Sequence, residues 1–179
     1  MILAHALMIL FVCIACTDGL YYHVYKYRLY ARPESRYEHL LHTVNVCLFL
    51  PQCFLFFCVR PHGAFLWAAL ATFFATLGVE IADVLSENES RKQLGGVVPL
   101  EYLMHFLMSG LRAGFLSAYM VAAGSADLYV GASLGPPALP YVGWFVLGPG
   151  ALVAAFHVWL HFVGGRAALT SPSRAALRA

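Results

Sequence analysis

Glu101-Tyr102-Leu103-Met104-His105-Phe106-Leu107-Met108-Ser109-Gly110-Leu111-Arg112 opens an apolar run that continues to Ala123. A carboxylate, an imidazole and a guanidinium stand in it four and seven residues apart, a spacing that shares one helix face. The run is long enough to cross a bilayer, which takes about 20 helical residues for ~30 Å of hydrocarbon. Charges in such a helix are costly unless they are partnered. The opening motif, Glu-x-Leu-x-His, also occurs earlier as Glu38-His39-Leu40-Leu41-His42, again at the head of an apolar run. The acids upstream match too. Asp18 precedes Glu38 by 20 residues, and Glu80 precedes Glu101 by 21.

The surrounding composition says what kind of chain carries these motifs. Of 179 residues, 61% are hydrophobic and 11% charged, and the mean hydropathy is +0.72. Soluble domains carry about 25% charged residues. The expectation is an all-α integral membrane bundle of five transmembrane helices, at about residues 1–23, 38–59, 63–85, 98–123 and 141–163. The first is read as a retained helix, since no n-region or small-x-small cleavage site accompanies it. Residues 1–163 form one domain, and 164–179 a basic, flexible cytoplasmic tail. The net charge of +2 points to no nucleic-acid partner. Lys26, Arg28, Arg32, Arg36, Arg91, Lys92, Arg166, Arg174 and Arg178 fall on one side, and Arg60 alone on the other. That bias predicts an N-out, C-in orientation. Cys13, Cys16, Cys47, Cys53 and Cys58 lie within spans and read as small apolar residues.

The connections are short. Arg60-Pro61-His62-Gly63 predicts a tight hairpin, and 86–97 a polar internal loop with Glu87, Glu89, Arg91 and Lys92. Pro51 predicts a kink, and Gly148-Pro149-Gly150 an interruption of the last helix. Asp127 reads as a solvated residue of the outer loop. Helices 1–2 and 3–4 form a pseudo-repeat, related by an axis along the membrane normal.

Under this topology Asp18, His23, Glu38, His39, His42, Glu80, Asp83, Glu101, His105, His157 and His161 gather near the cytoplasmic face, in a layer roughly 10 Å deep. Glu38/His42, Glu101/His105 and His157/His161 each share a helix face at a spacing of four. Asp18 and His23 are five apart, so α-helical geometry turns one away, and Asp18 is read as the inward one. The expected metal ligands are Asp18, Glu38, His42, Glu80, Asp83, Glu101 and His105. His23, His39, His157 and His161 are further ligands or their partners.

Four helices each giving a carboxylate, two of them also giving a histidine, resemble the di-iron carboxylate four-helix bundles, here with Glu-x-x-x-His for Glu-x-x-His. The resemblance implies two divalent ions, iron first and manganese or zinc next. It also implies O₂-dependent hydroxylation, desaturation or oxidation of a hydrophobic or lipid substrate, with an electron-donor protein. Arg112 is read either as an anchor for the substrate's anionic group or as the partner of a buried carboxylate. Tyr21, Tyr22, Tyr25, Tyr27 and Tyr30 read as an interfacial belt.

Two other classes stay open. His157-Val-Trp-Leu-His161 is similar to the His-x-x-x-His of the alkaline ceramidase and adiponectin-receptor superfamily, which implies a zinc-dependent membrane hydrolase. A metal or proton carrier would need polar residues through both halves, and the outer half is nearly bare of them.

Overall fold

A computed structural model describes residues 1–137 and 139–166. Most of the expected tail, 164–179, lies outside them. The chain is mainly helical, and five helices are long and apolar enough to span a membrane. Helix α1 (Ile2–Cys16) runs on without a break into a π-helical stretch, Thr17–Lys26. Helix α2 (Arg36–Cys53) likewise ends in π turns over Phe54–Cys58. Helices α3 (Ala64–Ser90) and α4 (Pro99–Ala123) follow, and α5 (Pro140–Trp159) closes with π turns over Leu160–Gly164. α1 packs along α4, α2 along α3, and α5 against α2.

The apolar core occupies one half of the bundle. Ala4, Met8, Phe11, Phe57, Leu66, Phe115 and Tyr119 interlock there, with edge-to-face contacts such as Phe57–Phe115. The outside is apolar as well, with Val121 86% and Leu85 77% exposed. An apolar rind over an apolar core suits hydrocarbon as the surrounding solvent.

Four expectations of the connections change. The chain is not purely helical: Arg60–His62 (β1) and Ser133–Gly135 (β2) form a small antiparallel ribbon. Pro61, and the prolines after β2, hold these segments extended instead of letting the chain turn tightly. Asp127 is not a free solvated acid, because Arg60 Nη2 donates to it at 3.0 Å and His62 lies 3.2 Å away. Gly148-Pro149-Gly150 stays helical within α5. A proline costs one backbone bond there, and packing against α2 holds the turn. Third-helix geometry persists past residue 85 to Ser90, so the first part of the expected 86–97 loop is helix. Pro51 sits inside α2, which remains helical beyond it.

Gly63 is the hinge between the ribbon and α3. Its φ of +51° lies in the region that only glycine enters readily. An added Cβ would also collide with the Val130 carbonyl. Gly63→Ala should therefore destabilise the fold by about 1–3 kcal/mol. Thermal unfolding in detergent checks this: the midpoint drops in Gly63→Ala and holds in Gly110→Ala, where a Cβ meets open space.

Candidate metal centre

Glu38 and Glu101 sit in the first turns of α2 and α4, where the helix dipole favours a carboxylate. Both are fully buried, and both point at Arg91. Arg91 Nη2 donates to Glu38 Oε1 at 2.7 Å and to Glu101 Oε1 at 2.6 Å. Its Nε donates to Glu38 Oε1 at 2.9 Å. The Ser90 hydroxyl donates to the other Glu38 oxygen. The Tyr27 ring covers the guanidinium at 4.5 Å. Burial pulls the Arg91 pKa down, but the bonds and charge of Glu38, joined by Glu101, outweigh it and raise it. Arg91 is therefore a fixed internal cation and no topology marker, although its place beyond α3 made it look like a loop residue.

Next to this pair, the π-helical stretch corrects one reading of α1. Its i→i+5 bonds, such as Tyr27 N–H to Tyr22 O at 2.9 Å, put residues five apart on the same face. Asp18 and His23 both turn inward, 3.6 Å apart. His23 Nε2 lies 3.1 Å from Glu101 Oε1. His105 is held between two acids, with Nε2 3.2 Å from Asp18 Oδ2 and Nδ1 2.8 Å from Glu87 Oε1. His42 Nε2 lies 3.0 Å from Asp83 Oδ2, and its ring abuts His23 edge-on at 3.8 Å between centroids.

Two sets of donors come close enough to share an ion. Asp18, His23, Glu101 and His105 form one, and His23, Glu38 and His42 the other, each with its ligand atoms within 4.8 Å of one another. Asp83 backs His42. Glu80 belongs to neither set; it accepts from the Ser109 hydroxyl at 2.6 Å and faces Arg112 at 3.6 Å. His39, His157 and His161 stack together, His39 with His157 at 5.4 Å and with His161 at 5.6 Å. Among the described residues no carboxylate joins them in a ligand group. His157 also lines a cavity of about 190 Å³ onto which Asp18, His42 and His105 open. The rest of its wall is mostly apolar, with Phe11, Phe49 and Phe145 prominent.

Glu87 and Arg91 were the residues that motif reading passed over. Glu87 lies four after Asp83, and no glycine or proline separates Gly78 from Gly95. Extending α3 through that interval would have placed Glu87 on the Asp83 face.

No protein-family model, curated protein or solved structure matches this chain.

Removing Arg91 leaves two buried carboxylates without their cation. Arg91→Met should cost about 3–5 kcal/mol, read as a large fall in the unfolding midpoint in detergent. Adding Glu38→Gln to Arg91→Met should recover part of the loss. Equal stability of Arg91→Met and wild type would mean that the guanidinium does not hold the helix ends together.

Proposed function

We propose that this chain is a membrane-embedded metalloenzyme that oxidises a hydrophobic substrate with O₂. The observation that carries the reading is the set Asp18, His23, Glu101 and His105, drawn from the π-helical stretch after α1 and from α4 and opening in part onto an apolar cavity. Charge supports it. Five buried carboxylates (Asp18, Glu38, Asp83, Glu87 and Glu101) share one contact network with a single guanidinium, Arg91, which leaves four negative charges to offset when all five are ionised. Protons on His23, His42 and His105 would offset three of them, and would set imidazoliums edge-to-face at His23 and His42. Two divalent ions offset all four.

Asp18, His23, Glu101 and His105 hold the first ion. Glu38 and His42 hold a second beside it, because a neutral His23 gives its one lone pair to a single metal. Mixed imidazole and carboxylate donors suit iron, and manganese or zinc less well. Such a centre supplies oxidation chemistry when loaded. The chain's own residues shape the reaction: Asp83 and Glu87 orient His42 and His105 through their second nitrogen or shared proton, and the cavity walls exclude water. Hydroxylation or desaturation by O₂ consumes two electrons beyond those of the substrate, so a donor protein docks at the polar end.

The surface cations support the N-out, C-in orientation, which puts the centre near the cytoplasmic face. Lys26, Arg28, Arg32, Arg36 and Lys92 cluster at that end even with Arg91 set aside. The pseudo-repeat also draws support. α1 packs on α4 as α3 packs on α2, the His105–Asp18 contact pairs those helices as His42–Asp83 does, and Glu38 and Glu101 meet at one arginine.

Elemental analysis of protein purified in detergent tests the reading. Wild type should carry stoichiometric iron. Asp18→Asn and His105→Ala should lose most of it, roughly ten- to a hundredfold in affinity, while eluting as the same monodisperse species. A wild type free of transition metal, or variants with undiminished metal, would refute it.

A further inference from the structure

A second polar cluster faces the same cavity, about two helical turns from His105. Arg112 lies seven residues further along α4, or ~10 Å along its axis. It is 4% exposed, with the Phe11 ring over its guanidinium at 4.9 Å. Nη2 donates to Asn45 Oδ1 at 3.3 Å. Nη1 stands 3.6 Å from Glu80 Oε2, too far for a direct hydrogen bond. Arg112 Nε, Arg112 Nη1 and Glu80 Oε2 are buried without a hydrogen-bond partner. Arg112, Glu80 and Asn45 all line the cavity.

We infer that this cluster binds the hydroxyl group of an uncharged amphiphile whose hydrophobic body fills the cavity. The inference rests on reading that cavity as the substrate chamber. The unpaired atoms specify the ligand. A hydroxyl oxygen accepts from Arg112 Nη1 while its proton goes to Glu80 Oε2, so one small group satisfies both sides of the gap. A carbonyl satisfies only the donor. A carboxylate is repelled by Glu80, because the Arg112–Glu80 pair is already neutral. An alkane leaves Arg112 Nη1 and Glu80 Oε2 unpaired. Fixing the hydroxyl at Arg112 lays the chain toward Asp18 and His105. The carbon presented to the metal centre is then about 10 Å from the hydroxyl, the two-turn span along α4.

Photolabelling tests the inference. Purified protein in nanodiscs is labelled with a dodecanol carrying a mid-chain diazirine, and unlabelled dodecanol, dodecane and dodecanoate compete. Dodecanol should compete roughly ten- to a hundredfold better than either, the worth of hydrogen bonds to charged groups. Glu80→Gln should keep its metal and let dodecanoate compete, because Arg112 is then free to take an anion. Arg112→Met should weaken dodecanol and exclude dodecanoate more strongly than wild type does, because Glu80 is then left without its cation. Equal competition by alcohol and alkane in wild type, or a ranking unchanged in Glu80→Gln, overturns the inference. Metal content measured on the same samples separates the two readings. Metal-loaded protein without an alcohol preference removes this inference alone, and metal-free protein that keeps the preference removes the metal reading alone.

Discussion

A single buried guanidinium governs this architecture. Arg91 sits just past the end of α3 and receives Glu38 from the head of α2 and Glu101 from the head of α4. Three helix termini are thereby pinned to one point. Buried ion pairs add little net stability over a well-packed apolar alternative, but they tolerate few other arrangements, because each displaced charge is left bare. The role of Arg91 is thus positional. It fixes the depth at which α2 and α4 begin, and so the depth of His42 and His105 one turn further on.

The five long apolar helices were legible because they follow from bulk apolarity and helix length, which need no partner to be recognised. The lower halves of α2 and α4 were legible too, since a four-residue spacing survives any packing of an α-helix. Three features were hidden for distinct physical reasons. His23 was turned away on paper because a π-helix leaves no mark in residue pattern, yet it changes which residues share a face. Arg91 and Glu87 were hidden by their own polarity: a run of charges beside an apolar span reads as a solvated loop, and only tertiary partners reveal that the run is interior. The β1–β2 ribbon was hidden because its strands are three residues each and pair over a long separation, Arg60 with Gly135. Glu80 shows the limit of repeat reasoning. Its place in the repeat matched Asp18, but its partners, Ser109 and Arg112, both lie on α4.

Polar and apolar layers divide the molecule along its axis. At the ribbon end, interlocking rings make a dry core. At the other end, acids and imidazoles gather beside a smaller apolar cluster of Tyr22, Tyr27, Leu29 and Met104. The cavity lies between them and has both kinds of wall. On the proposed function, that junction would serve chemistry on an apolar molecule, with polar groups to react and an apolar wall to hold it.

The division of partners between the two halves of the chain also constrains biogenesis. Glu38 in the first helical hairpin meets its guanidinium only in the second, and His42 meets its carboxylate only there. Until the two dock, the first hairpin holds Glu38 without its guanidinium and the second holds Asp83 without its imidazole, and in hydrocarbon an unmatched charge would be costly. Assembly of the halves is thus the step at which these charges find their partners.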